Sequence, residues 1–192
     1  MTSSAAESRE LAVLRRRVFL ALFTALAVAL QTMEALWPSP APWFRLGLAN
    51  ILTVTALFLY GGAAAWSVSL GRVLIGALLL GRLFTPGFWL ALGGAAAAVA
   101  VMTLMHRLAP RRLGPIGISV LGAAGHTLGQ LTVASLILIQ HPGLWRLLPV
   151  LLLVSVVAGV LTGWVAAVLL ERLQTHEAFR RADNQDDLTR RR

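Results

Sequence analysis

Acidic residues are almost absent from the middle of this chain, and that absence limits what the chain can fold into. Between Val18 and Leu170 the sequence contains one carboxylate, that of Glu34. Charged residues make up 13% of the 192 residues, against about 25% in a typical soluble domain. With 57% of its residues hydrophobic, the chain is predicted to be an all-α integral membrane protein rather than a water-soluble enzyme.

Six apolar stretches separated by Pro and Gly predict six transmembrane helices, since a helix needs about 20 apolar residues to cross a bilayer. The runs are continuous rather than alternating, which argues against transmembrane strands. The second stretch is short, so a tilted, a broken and a re-entrant helix are all compatible with it. The predicted spans are Val18–Leu36, Gly47–Tyr60, Ala63–Leu80, Phe88–His106, Ile116–Ile139 and Leu147–Glu171.

The basic residues predict how these helices are oriented. All 17 are Arg, and thirteen of them precede the first span, lie between the fourth and fifth, or follow the sixth. Loops rich in Arg stay in the cytoplasm, so we expect both termini there and a multi-pass protein of the cytoplasmic (inner) membrane. The expected parts are a cytoplasmic N-terminal tail (1–17), a six-helix membrane domain (18–171) and a disordered cytoplasmic tail (172–192).

Two other interpretations of the basic residues are disfavoured. The Arg-rich tails also contain Glu and Asp and do not interleave aromatic with basic residues, so we expect no nucleic-acid partner. Arg15–Arg17 followed by an apolar run resembles a signal peptide. The five further spans favour a first helix that is retained.

Charged side chains inside the predicted spans are few, and each is a candidate functional residue. Arg72 lies near the middle of the third span, where a charge costs about 2.5–3.5 kcal/mol on insertion scales. We therefore expect it to face the protein interior, a wet cavity or a partner. Glu34 lies near the outer end of the first span, where it could pair with Arg72 or Arg82. Such a pair would set the helix register, and it is compatible with contact to a ligand.

His126 and Gln130 lie four residues apart on the fifth span, so they share one helical face. Small residues around them allow a neighbouring helix to approach closely. Contact with a polar ligand and an interhelical hydrogen bond both fit this pattern. A metal site does not, because the other His residues fall at or beyond the span ends and no paired carboxylate accompanies His126.

Catalytic patterns are weak, so we expect neither an enzymatic activity nor a cofactor for this chain. Ser67–Gly71 lacks the pattern of a nucleophile elbow, and the absence of Cys excludes thiolate chemistry. Prenyl transfer requires clustered Asp to hold magnesium on a diphosphate, whereas Asp186–Asp187 lies in the predicted tail. The sequence also contains no ATP-binding P-loop motif, so energy for transport would come from a partner or a gradient.

Small residues recur at helical spacing in three of the spans. Ala21, Ala25 and Ala29 form a stripe on the first span that would let another helix approach closely. For the others, contact inside the bundle is the simplest interpretation. They are Gly125 with Gly129, and Gly159 with Gly163.

An ordered set of motifs resembles one known family over residues 18–170. The motifs are Arg45–Ile51 after the Pro-rich loop that follows the Glu-containing first helix, Arg72 with Gly76 and Gly81, Gly93–Gly94, Ile116–Ser119, and Gly122–Ala123 with His126 and Gln130. Together they resemble the Gx transporter family, also labelled heptaprenyl diphosphate synthase component I.

This resemblance implies a fold, a site and partners. The family is similar to the substrate-binding S components of energy-coupling-factor transporters, which have six helices, cytoplasmic termini and an outward-facing pocket. It implies a small-molecule substrate, flavin-like or quinone-related, and an energy-coupling transmembrane protein with ATPases that docks on the Ala21, Ala25 and Ala29 stripe. The alternative is a non-catalytic membrane subunit that scaffolds a prenyl diphosphate synthase or a redox-maturation system. The residues expected to line the pocket are Glu34, Arg45, Asn50, Arg72, Arg82, His126 and Gln130.

Overall fold

The computed structural model of the chain describes residues 2–36, 47–110 and 112–175, and within these ranges it is helical with short connections. The predicted Pro-rich loop and most of the predicted C-terminal tail lie outside the described residues. The described residues form six α-helices, which agrees with the predicted number. They are α1 (Thr2–Leu36), α2 (Leu48–Tyr60), α3 (Gly62–Leu79), α4 (Pro86–Leu108), α5 (Pro115–Ile137) and α6 (Leu148–Thr175), with a short 3-10 helix (Pro142–Leu147) before α6.

From the end of α1 to the start of α6, the helix ends lie within one or two residues of the predicted limits, and proline or glycine stands at several of them; α6 ends four residues beyond its predicted limit. Pro86 begins α4, and the Thr85 hydroxyl caps this helix by accepting a hydrogen bond from the Phe88 N–H at 3.3 Å. Pro115 begins α5 in the same first position. Gly61 alone separates α2 from α3, and its φ of 83° lies in a region that glycine adopts at little cost.

α1 is longer than the predicted first span. The helix begins at Thr2, whereas the apolar stretch begins at Val18. Residues 2–17 contain neither Pro nor Gly, and most of them are Ala, Leu, Glu or Arg, which are good helix formers. The helix therefore continues through the polar segment.

Each helix runs antiparallel to the one before it, so the bundle has an up-and-down topology. We call the end at which α1 begins the proximal end and the opposite end the distal end. The Arg distribution predicts that the proximal end faces the cytoplasm. Contacts between helices establish these directions. They are Arg16–Tyr60 and Glu34–Leu48 for α1 and α2, Gly62–Thr103 and Ser69–Ala95 for α3 and α4, Gly94–His126 and Gly122–Met102 for α4 and α5, and Ser119–Thr162 and Thr127–Ser155 for α5 and α6. Thr24–Gly71 and Gln31–Gly76 show that α3 is parallel to α1, and therefore antiparallel to α2.

α2 lies at the centre of the bundle and contacts each of the other five helices. Every residue from Ile51 to Leu57 is buried. Val54 and Leu57 belong to the largest apolar cluster, together with Met102 and Ile118 from α4 and α5. Because protein surrounds this helix, it is not held to the length that a lipid-exposed span requires. The second span is one short unbroken helix, so the broken alternative is wrong.

The outer surface of the bundle is apolar. By length and composition, four helical segments of the described residues could cross a membrane, namely α3, α4, α5 and the segment Pro142–Thr175. Large apolar side chains of α6 stay exposed, among them Leu153, Val157 and Trp164. Such a surface is unfavourable in water and expected against lipid. This is the architecture of a multi-pass membrane protein.

Candidate functional site

Arg72 is a cation buried in the middle of α3, with 7% of its surface exposed. Its Nη1 donates a long hydrogen bond of 3.5 Å to Gln31 Oε1 on α1. Gly76 leaves room for the Gln31 side chain, since a Cβ at that position would lie 3.0 Å from Gln31 Nε2. The guanidinium therefore faces the interior of the bundle, between α3 and α1.

The Glu34 carboxylate caps the start of α2. Its Oε1 accepts a hydrogen bond of 2.8 Å from the Leu48 N–H. Gly47, in the N-cap position with φ 70°, has no side chain that could cap the helix, so α1 supplies the missing acceptor. A negative charge there also interacts favourably with the helix dipole. Glu34 Oε1 thus bonds to the Leu48 N–H, and Arg72 Nη1 bonds to Gln31 Oε1.

His126 lies half-buried on α5 and faces α4. A Cβ on Gly94 would come within 2.7–2.9 Å of the imidazole ring atoms, so the ring fits only because residue 94 is a glycine. The next residue, Thr127, faces the other neighbour of α5 and forms a hydrogen bond with Ser155 on α6. His126 therefore contacts α4, and Thr127 contacts α6.

One short segment of α4 lies between Ser69 of α3 and His126 of α5. Ser69, one turn before Arg72 on α3, donates a hydrogen bond of 3.5 Å to the Ala95 carbonyl. On the other side of α4, the His126 ring lies against Gly94. Ser69 and His126 therefore pack against the same turn of α4.

The polar residues of the site lie at similar depths in the distal half of the bundle. With a rise of about 1.5 Å per residue, Arg72 lies about 10 Å from the distal end of α3, Gln130 about 10 Å from that of α5, and Gln31 about 8 Å from that of α1. A polar molecule that entered from the distal end would meet side chains of three helices at one level.

The remaining predicted site residues differ in their surroundings. Asn50 is half-buried in the first turn of α2, next to the cap formed by Glu34, and Gln130 is half-buried one turn beyond His126. Arg82 is exposed in the connection between α3 and α4, where its carbonyl accepts a hydrogen bond of 2.7 Å from the Thr85 hydroxyl. Arg45 lies outside the described residues.

Gln31 is a site residue that the sequence analysis did not identify. A signal for it existed, because Gln31 is a polar residue in an apolar span and shares a helical face with Glu34, three residues later. Ser69 gave no comparable signal, since a lone serine in a membrane helix usually bonds to its own backbone. Within the described ranges, no group of three or more His, Cys, Asp or Glu could hold a metal ion.

The alanine stripe of α1 lies on the outside of the bundle. Ala21, Ala25 and Ala29 are exposed, whereas Phe23 and Ala27 on the opposite side of the helix are buried. The stripe therefore presents a surface of small side chains on which another helix could lie close to the α1 backbone.

A comparison with known protein families identifies the family of this chain. A family model described as heptaprenyl diphosphate synthase component I matches residues 23–169, from the middle of α1 to the last turns of α6. The chain belongs to the heptaprenyl diphosphate synthase component I family. This confirms the family that the sequence motifs indicated. No curated protein and no solved structure matches the chain. All the candidate site residues of this family member, from Glu34 to Gln130, fall within the matched region.

Proposed function

We propose that this protein is a substrate-binding subunit of a membrane transport system, similar to the S components of energy-coupling-factor transporters. It would hold a small organic molecule in a pocket that opens at the distal end. The observation that carries this proposal is the burial of Arg72 in a helix long and apolar enough to cross a membrane. A charge at that depth is costly, and in membrane proteins such residues characteristically mark substrate pathways.

The chemistry of the site supports a polar or anionic group on the substrate. A guanidinium binds carboxylate, phosphate and carbonyl oxygens through directed N–H donors, and Gln31 orients that of Arg72. His126 and Gln130 can both donate and accept hydrogen bonds. A flavin-like or quinone-related molecule, whose rings carry carbonyl groups, fits these donors. Glu34, Asn50 and Arg82 would border the entrance, and Arg45 remains a proposed substrate-binding residue on sequence grounds.

The exposed face of α1 supports a partner for this subunit. With both termini in the cytoplasm of an inner-membrane protein, an energy-coupling transmembrane protein with ATPases would dock on Ala21, Ala25 and Ala29. Small side chains allow the close helix contact that such docking needs. The partner would supply the energy, because this sequence has no P-loop.

Native mass spectrometry of the purified full-length protein tests the proposal, since it reports bound molecules and bound proteins together. We expect the wild type to retain a small molecule, and Arg72→Ala or His126→Ala to retain about tenfold less, because each loses hydrogen bonds to the ligand. Ser135→Ala is the matched control. It removes an exposed hydroxyl of α5 that bonds to the Thr132 carbonyl. Unchanged retention in both site variants would contradict the assignment.

The family description favours a second candidate function. A component of a synthase has a protein partner, so the chain would be a non-catalytic membrane subunit that scaffolds a prenyl diphosphate synthase or a redox-maturation system. This function predicts a stably co-purifying enzyme and no retained small molecule. The same mass spectra therefore distinguish the two functions.

A further inference from the structure

A groove at the proximal end, away from Arg72 and His126, has the chemistry of a second binding site. It lies between α1 and the start of α3 and has a volume of about 270 Å³. Val13, Arg16, Arg17 and Leu20 form its α1 wall, and Ala63, Ala64 and Ser67 form its α3 wall. No acidic side chain is among these lining residues.

The two walls meet because α1 and α3 run parallel. Thr24 of α1 faces Gly71 of α3, and further along the two helices Gln31 faces Gly76. Extrapolated toward the proximal end, this register places the first turn of α3 at the level of Arg16 and Arg17. Two cationic side chains and a helix N-terminus are thus at the same depth.

A contact with the backbone positions the Arg16 guanidinium beside the start of α3. Its Nη2 donates a hydrogen bond of 3.1 Å to the carbonyl of Tyr60, the last residue of α2. A guanidinium carries several N–H donors, so this bond orients the group and leaves donors for an anion. Arg15, in contrast, lies over the ring of Phe19, 5.8 Å from the ring centroid, and does not line the groove.

The start of α3 adds backbone donors on the other wall. The first N–H groups of a helix have no partners within the helix, and Gly61, which precedes α3, provides no side-chain cap. The helix dipole puts partial positive charge at the same place. Together with Arg16 and Arg17, this makes the groove suited to a tetrahedral oxyanion such as phosphate.

The position of the groove and its apolar lining indicate where such an anion comes from. The apolar stretch of α1 begins at Val18, so Arg16 and Arg17 lie at the boundary where lipid headgroups meet the hydrocarbon. Leu20 and Ala64 provide apolar contacts next to the cations. The volume is slightly below the roughly 300 Å³ at which sites for drug-sized ligands begin, so it suits a headgroup rather than a whole molecule.

We propose that this groove binds a phosphate group, with Arg16, Arg17 and the first turn of α3 as its donors. Its level in the membrane and its apolar lining favour the headgroup of an anionic bilayer amphiphile over a free phosphate. Membrane orientation explains why Arg residues occur at this end. It does not require them to converge on an uncapped helix start in one groove.

Titration of phosphatidic acid and of inorganic pyrophosphate into the detergent-purified full-length protein, followed by native mass spectrometry, tests the proposal. We expect Arg16→Gln/Arg17→Gln to bind at least about tenfold more weakly, because charge-assisted hydrogen bonds are lost. Arg112→Gln, an exposed residue of the α4–α5 connection, is the matched control and should bind like the wild type. If the double variant binds phosphatidic acid more weakly, the phosphate belongs to a lipid. If it binds pyrophosphate more weakly, the phosphate is a free anion. Either result supports the proposal.

A second variant keeps the test informative if the double substitution disturbs membrane insertion. Ser67→Asp retains every Arg and places a carboxylate in the groove, at a residue that is exposed. Its charge should repel phosphate and weaken binding to a similar extent. If neither ligand loses affinity in a Ser67→Asp sample that melts like the wild type, the proposal is overturned. Retention of a substrate at Arg72 is a separate measurement and does not depend on this result.

Discussion

The hydrogen bond from the Leu48 N–H to the Glu34 carboxylate joins the end of α1 to the start of α2. It gives a structural role to the one carboxylate between Val18 and Leu170. Gly47 turns the chain into α2 with a positive φ and cannot cap the helix itself. A group from another helix therefore satisfies a backbone donor that lipid could not satisfy.

Glu34→Ala should lower the free energy of unfolding by about 1 kcal/mol, the typical cost of losing a helix N-cap. Glu34→Gln should cost less, because the amide oxygen still accepts the hydrogen bond. Thermal unfolding of the purified variants in detergent measures both. Glu171→Ala is the control, since this exposed residue near the end of α6 should change stability by less than about 0.5 kcal/mol. Equal melting of Glu34→Ala and the control would refute the capping role.

Glycines hold α5 between α4 and α6. A Cβ on Gly163 would lie 2.7 Å from the Ile116 Cα, and one on Gly129 would lie 2.6 Å from the Gly93 carbonyl oxygen. These neighbours are backbone atoms, which cannot rotate away as the end of a side chain can. The structure thus shows the contact inside the bundle that the spacing of these glycines indicated.

Gly163→Ala should destabilise the protein by about 1–3 kcal/mol, because the added methyl group pushes α6 away from α5. Gly87→Ala is its matched control, since the nearest atom to a Cβ there is the Thr85 hydroxyl oxygen at 3.9 Å. That control should melt at or above the wild-type temperature, because alanine favours helix more than glycine does. A Gly163→Ala protein as stable as the control would argue against tight contact between α5 and α6.

Three surfaces of different character lie in different parts of the molecule. Polar side chains from several helices lie in the distal half, a cationic groove lies at the proximal end, and the alanine stripe lies on the outside of α1. The central helix α2 contacts all five other helices and so connects these parts of the bundle. The proposed ligand contacts and the proposed partner contact therefore lie on different faces, so each can be changed without the other.

Ala25→Trp should abolish co-purification of an α1-docked membrane partner, because the large ring prevents close helix contact. It should leave the melting temperature unchanged, since Ala25 is exposed. Val157→Trp places the same ring on the exposed face of α6 and serves as the control. Pull-down of the tagged protein from membranes, with mass spectrometry of the eluate, measures the loss. Equal recovery of the partner with both variants would exclude docking on the stripe.

The sequence predicted part of the candidate site because a charged side chain in an apolar span is costly to expose to lipid. On that ground Arg72 was expected to face the protein interior, a wet cavity or a partner, and the structure places it in the interior. Gln31 was not identified as its neighbour, since the pair is 41 residues apart in the chain. Which helix lies beside which depends on side-chain shape along whole helices, and uniformly apolar spans carry little information on that choice.

The sequence by itself determined the six helices, the breaks between them and the chain's place in a membrane. These properties depend on local hydrophobicity and on the backbone limits of Pro and Gly. Only the tertiary structure decided that Glu34 caps α2, that His126 packs against Gly94 of α4, and that α2 contacts the other five helices. Each of these features depends on the depth and neighbours of a helix, which are set when side chains from distant parts of the chain pack together.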